Sequence, residues 1–501
     1  MILLLPIFVF VLIFFYLKYK NRYWYYKGVK TPQPKIIFGN VYDIITNKIR
    51  LGDYYDRLYK EYKSNGFEYI GFYTFTTPVL IMIDPELIKL ILQTDFQHFC
   101  DRIHYVNKKT DAINSHLFKL KGAQWKNLRI KLTPTFTSSK MKFMFNTVLD
   151  CSKGLLNVAN KLAENNELIN IHNVVLRYTS DVIASCAFGV DSNSLENPNS
   201  MFVKCAEMII EQERMMERKE YFSQSFPKIA DLIKLKFIRP EVKRFFNDIV
   251  SQIINNRETN NIHRQDFMDL LIQLKNKTMP LNENNTTEFE NNNTYLTVDE
   301  IVAQVFLFFS AGYETSSATL TFCFYELALN TVIQDKLRSE IRDTLAEYDG
   351  KITYEALSKM TYMDMIIKET LRKYPPLLSI NRKCVKTYKV PNRDLVIDKD
   401  TNIVIPVYSI HTDQDYYPNP KVFDPERFSS QVPSCTWLAF GDGPRNCIGL
   451  RFGLLQVKLA LTSLILKYKF TVDSSIPLSL GSAGILLTLE EDIFLNIKKC
   501  T

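Results

Sequence analysis

The chain opens on apolar residues alone: Ile2 to Leu17 carries no charge and is followed by Lys18, Lys20 and Arg22. As a helix the run spans about 24 Å, slightly short of a hydrocarbon core of roughly 30 Å. Tyr23 to Tyr26 follow as an aromatic belt that helps to cover the difference. No basic stretch precedes the run and no small-residue cleavage site ends it, so it reads as a signal anchor over residues 1–22. Basic residues behind it place the remaining chain on the cytosolic side. Residues 23–40, with Thr31-Pro32-Gln33-Pro34, read as a hinge, and the body of the protein as residues 41–501.

Beyond the hinge, Tyr69 to Phe75 and Pro78 to Ile83 read as strands, and Asp84-Pro85-Glu86 as a helix start. Tyr221 to Phe246 interleaves Phe222, Phe226, Ile229, Leu232 and Ile233 with Lys228, Lys234 and Lys236, which suits core packing or a lipid surface. Residues 276–294, rich in Asn, Thr and Glu, read as an exposed linker. Thr297-Val298-Asp299-Glu300 is a capping box that opens a helix running to about Asn330. That helix is apolar on nearly every face, which predicts burial. Ala311-Gly312-Tyr313-Glu314-Thr315 interrupts it. A mid-helix glycine costs about 1 kcal/mol against alanine, and a buried carboxylate costs more unless it is paired. A packing glycine, with Thr315 bonding back to its own helix, would also account for the group.

Composition narrows the class. The chain has 501 residues, 46% of them hydrophobic, enough for a large core. Lys and Arg exceed the acids by 62 to 54, without a basic run; that suits an anionic membrane or an acidic partner better than nucleic acid. The nine cysteines show no metal-finger spacing and read as reduced thiols. No Gly-x-Gly-x-x-Gly follows a strand, so no dinucleotide or flavin site is visible.

Phe440-Gly441-Asp442-Gly443-Pro444-Arg445-Asn446-Cys447-Ile448-Gly449 then places one thiol on a glycine-rich loop before the long apolar stretch Leu450 to Phe470. Gly441 and Gly443 permit tight turns, and Gly449 removes a side chain where something flat and large could approach. A cysteine at a helix N-terminus sees amide donors and the positive dipole end, which favours its thiolate. Such a thiolate can hold a haem iron, and Arg445 could meet a propionate. Trp125 and Arg129, four apart on one helix face, could donate to one anion. The pattern Phe-x-x-Gly-x-Arg-x-Cys-x-Gly resembles the cytochrome P-450 superfamily, the haem-thiolate monooxygenases. Cys186-Ala187-Phe188-Gly189 through Asn199 is similar to insect microsomal members that act on xenobiotics.

The resemblance implies a mainly α fold with small β-sheets behind one transmembrane helix. Haem b would be held by Cys447, with Arg445, Trp125, Arg129, Arg382, Phe440 and Gly449 around it. Ala311 and Gly312 would open a groove for oxygen, and Thr315 and Glu314 would deliver protons. Glu369 and Arg372, joined by Arg427, would anchor the cysteine loop. Leu117, Phe118, Phe306, Leu377, Leu378, Leu487 and Thr488 would line the substrate pocket. The segment Ser429 to Ala439 is shorter than usual in the family, with Ala439 where proline is common. Electrons would come from NADPH through a separate flavoprotein reductase, with cytochrome b5 as a second donor, docking near Lys126, Arg129 and Lys131. The location implied is the endoplasmic reticulum membrane. The rival readings are a haem-thiolate isomerase or dehydratase, a monooxygenase of endogenous lipids or hormones, and a non-catalytic binder of hydrophobic ligands.

Overall fold

The structure is a computed structural model, described here for residues 4–264, 266–276, 295–472 and 478–500. The expected linker at 276–294 lies almost wholly outside the described residues. Helices dominate and the sheets are small, as the resemblance implies.

Helix α1, Leu4–Lys20, holds the N-terminal apolar run. Phe8, Leu12, Ile13, Phe15 and Tyr16 on it are exposed. Among the described residues no helix is long and apolar enough to cross a membrane. The aromatic belt divides. Tyr25 and Tyr26 face outward, but Trp24 is 1% exposed, with its indole N–H donating to the Phe72 carbonyl at 2.9 Å. Tyr23 donates to Asp398 at 2.8 Å. The expected hinge therefore begins with a core residue. An indole buries too much apolar area to stay in solvent when a site opens for it, and Gly71 leaves that site: a Cβ there would stand 2.6 Å from the Trp24 ring.

Helix α2, Leu51–Ser64, leads into the hairpin of β1, Tyr69–Thr74, and β2, Thr77–Met82, the two runs read as strands. Strands β3, Ile380–Lys383, and β4, Asn402–Ile405, complete a sheet in the order β1-β2-β4-β3, in which β2 and β4 run parallel. A separate hairpin joins β5, Leu480–Ala483, to β6, Leu486–Leu489.

Helices α3, Gly122–Leu132, α4, Ser138–Glu164, α5, Ile171–Ile183, and α6, Met201–Ser225, precede the central helix α7, Val298–Leu329, which α5 and α6 contact directly. The capping box forms: Thr297 Oγ1 accepts from the Glu300 N–H at 3.2 Å, and Glu300 returns the contact at 3.1 Å. α7 packs on α5, on α8, Thr361–Lys373, and on α9, Leu450–Ile465. Gly312 is a packing glycine, because a Cβ would stand 2.4 Å from Ile183 Cδ1. Its missing side chain lets α5 approach, and its backbone also borders the inner cavity described below.

Candidate active site

The cysteine loop is held in a conformation that its glycines make possible. Gly441 and Gly443 have φ of +69° and +68°, left-handed values that side chains resist. At Gly443 a Cβ would also stand 1.8 Å from the Leu92 carbonyl oxygen. Asp442 accepts from the Gly443 N–H and receives a 2.7 Å hydrogen bond from Gln93. The Cys447 N–H donates to the Phe440 carbonyl at 2.8 Å, which closes the loop.

A buried ion pair supports the loop from below. Arg372 grips Glu369 through two hydrogen bonds of 2.6 and 2.7 Å, and both side chains are fully buried. Arg427 adds its charge at 3.4 Å from Glu369 and donates to the Pro418 and Asn419 carbonyls. The three residues thus meet as the resemblance implies. The link to the loop runs through His411. Its backbone carbonyl accepts from Arg372 at 2.8 Å, its Nδ1 donates to the Arg372 carbonyl at 3.2 Å, and its Nε2 accepts from the Leu438 N–H at 2.8 Å. Burial, with the Arg372 charge, pushes this imidazole down to about 3, so it is neutral, with one nitrogen donating and the other accepting. The Leu438 carbonyl in turn receives the Gly441 N–H. Sequence reading missed His411, a lone histidine carrying no motif.

Above the loop lies a cavity of about 270 Å³, bordered by Cys447, Phe440 and Gly449 on one side and Ala311, Gly312 and Thr315 on the other. Cationic side chains converge at its edge. Arg445 is 2% exposed, donates to the Cys100 and Leu120 carbonyls, and stacks 4.0 Å over Trp125. Arg382 is 1% exposed and donates to the Asn381 carbonyl. Arg102, which sequence reading missed inside a loop assigned only to the pocket, donates to the Phe118 and Arg445 carbonyls. Burial pushes all three downward, and the Arg445 charge adds to the effect on Arg102 and Arg382. Asp101, 3.7 Å from Arg445, is the one carboxylate paired with them among the described residues. Arg382 Nε and Arg445 Nη1 are buried without a partner there. Three guanidiniums and two orphaned donors beside a slot facing a thiol fit a flat ligand bearing two carboxylates, which is the form of haem b. Arg129 lines the same cavity, and two of its guanidinium nitrogens also donate to Asn446 at 3.0 Å, which steadies the loop. Burial raises the Cys447 thiol, and the Gly449 N–H, Arg129 and Arg102 only partly offset that.

A second cavity of about 250 Å³ adjoins the first and shares Phe118, Leu307, Ala311, Thr315 and Leu377 with it. Phe306 and Thr488 line this outer cavity and Leu117 the inner one, as expected. Leu378 and Leu487 do not line either. They pack with Ala318, Phe322 and Tyr374 in a small apolar core. Extended segments turn alternate side chains to opposite faces, so Leu377 and Ser379, and Leu486 and Thr488, face the cavity while Leu378 and Leu487 turn away. Thr315 Oγ1 donates to the Ala311 carbonyl at 2.7 Å. Glu314 is buried and borders the outer cavity.

The family model described as Cytochrome P450 matches residues 29–496. Cytochrome P450 6a2 of Drosophila melanogaster is 40% identical over 496 residues, 97% of each chain. Cytochrome P450 6k1 of Blattella germanica is 40% identical over 502 residues, covering 97% of this chain and 95% of its own. Cytochrome P450 6A1 of Musca domestica is 36% identical, with 97% and 95% covered.

His411→Ala leaves the Leu438 N–H and the Arg372 carbonyl unpaired, at about 1–3 kcal/mol for each buried group. The purified variant should keep its helical content but carry severalfold less haem per chain, and His411→Gln should recover part of it. Full haem occupancy in His411→Ala would show that the loop does not depend on this link.

Proposed function

The chain belongs to the cytochrome P450 family and is a haem b monooxygenase, and from that premise we propose the roles of its residues and its substrates. Cys447 Sγ binds the haem iron, and Arg102, Arg382 and Arg445 hold the propionates, with Trp125 bracing Arg445. The observation that carries this reading is the cluster of under-neutralised guanidiniums beside the slot that the thiol faces. Bound haem supplies the activation of dioxygen. Ala311 borders the slot opposite the thiol, and Thr315 stands next to it with a hydroxyl that can exchange its bond to the Ala311 carbonyl for one toward the slot. Glu314, adjacent in sequence, supplies the proton that this hydroxyl passes on. One oxygen atom enters a lipophilic substrate held by Phe306, Leu307 and Leu377; the other leaves as water.

Electrons come from NADPH through a separate flavoprotein reductase, with cytochrome b5 as an auxiliary donor. Lys126, exposed on α3, suits that contact, whereas Arg129 is engaged by Asn446. The likeness to insect relatives supports xenobiotics as substrates, ahead of endogenous lipids.

The protein sits on the cytosolic face of the endoplasmic reticulum. The exposed apolar face of α1 followed by basic residues supports an anchor there, and exposed Ile229, Leu232 and Ile233, with Ile36 and Ile37, support a second lipid contact. Phe222 and Phe226 belong less to that surface, since Phe226 packs on Phe75 at 5.4 Å.

With NADPH, reductase and isotopically labelled dioxygen, a lipophilic alkoxyarene should take up one labelled atom per product. Label arriving only from water would overturn the oxygenase reading. Thr315→Ala should retain haem and substrate binding but divert electrons into hydrogen peroxide, lowering product per NADPH by roughly tenfold or more. An unchanged yield would mean that another group moves the proton.

Deleting residues 1–22 should weaken sedimentation with membranes and leave thermal stability unchanged, because Trp24 is retained. Membrane binding equal to that of the full chain would remove the anchor from the account.

A further inference from the structure

The outer cavity is apolar along most of its wall, with Ile209, Ile210, Met216, Ile238, Phe306 and Leu307 among its lining residues. It also holds ionisable groups that a purely lipophilic substrate does not need. Lys119 and Glu220 pair at 2.7 Å and cancel. Against burial, which raises it, the Lys119 ammonium and a hydrogen bond from His104 hold Glu220 well below the usual carboxylate range. His104 faces Glu220 at 3.3 Å and Asn381 at 3.4 Å. Burial pushes His104 and His116 downward, so neither adds a charge at neutral pH.

Glu217 on α6 also lines this wall, on the side away from Thr315. Glu217 makes no ion pair among the described residues, and Lys119 in the same wall is held by Glu220. Tyr221, one turn along α6, donates to it at 3.3 Å. Tyr55 of α2 is buried close enough for the Glu217 charge to act on its phenol. Among the described residues, Arg218, exposed on the same helix, is the one cation whose charge acts on it. Burial, the largest influence, raises Glu217, as expected of a carboxylate lacking a close positive partner.

Resting on the monooxygenase reading above, we propose that Glu217, flanked by Tyr55 and Tyr221, recognises the protonated nitrogen of a lipophilic amine. A carboxylate beside aromatic rings in a partly dry cavity suits an alkylammonium, which gains an ion pair and contact with the rings. An unpaired carboxylate also disfavours uncharged lipophiles less than it favours cations, so it sets preference within a cavity whose remaining wall is permissive. Glu217, Tyr55 and Tyr221 line the outer cavity alone, whereas Thr315 and Ala311 border both. The amine is therefore held away from the shared border, and its apolar end points toward the oxidising site.

The test uses the purified haem-loaded protein with two probes: N,N-dimethyl-phenylbutylamine, and its uncharged isostere in which C–H replaces the nitrogen. Binding is read by equilibrium dialysis and by the spin-state change of the haem spectrum. The wild-type protein should bind the amine at least about tenfold more tightly. Glu217→Gln should bring the amine to parity while leaving the isostere unchanged. Equal affinities in the wild-type protein overturn the proposal, a comparison that needs no variant to fold. A preference that survives in Glu217→Gln also overturns it and moves the contact to Glu314. If the isostere is oxidised with NADPH and reductase but binds as well as the amine, this inference falls and the monooxygenase reading stands. If neither probe is oxidised, the functional reading fails, while the dialysis measurement still decides the amine contact.

Discussion

Positive charge buried without enough negative charge is the constraint on which the rest of this structure depends. Arg102, Arg382 and Arg445 meet at the edge of an internal slot, with Asp101 alone paired to them among the described residues. Desolvating such charges costs several kcal/mol each unless partners replace water. Backbone carbonyls satisfy some of the N–H groups, and Arg382 Nε and Arg445 Nη1 remain to be filled. The propionates of haem are the complement, and their binding would neutralise the charge and complete the hydrogen bonds together.

Holding a cysteine against that slot needs a rigid support. Glycines at positive φ let the loop turn, and the buried pair Glu369–Arg372 fixes what stands beneath it. A buried pair of this kind is weak evidence for net stability but is costly to break, at about 3–5 kcal/mol when one partner is lost. His411 carries that rigidity to the Leu438 N–H and so to the loop. The thiol so held borders the slot, where it would be available to a metal.

Local sequence patterns disclosed much of this. The capping box set the start of the central helix, and the spacing Phe-x-x-Gly-x-Arg-x-Cys-x-Gly pointed to the thiol. Glu369, Arg372 and Arg427 met as the resemblance implied. Failures came where the answer lay in tertiary partners. Helix spacing brought out Arg129 but could not show its bonds to Asn446, remote in sequence. Arg102 and His411 carried no local signal, since their importance lies in contacts with other segments of the chain, 16 to 343 residues away. Leu378 and Leu487 failed for a simpler reason: in extended segments neighbouring residues face opposite ways, so placing a segment at the cavity selects only alternate side chains. Gly312 was noted from its place in mid-helix, but its contact with Ile183 could be seen only in the packing.

The central claim is that Cys447 supplies the metal ligand within the guanidinium-rimmed slot, and the carbon monoxide complex of the reduced protein tests it most directly. The account predicts a Soret band red-shifted to the thiolate position in the wild-type protein, lost in Cys447→Ala. A band at the imidazole position in wild-type protein with full haem content would contradict it.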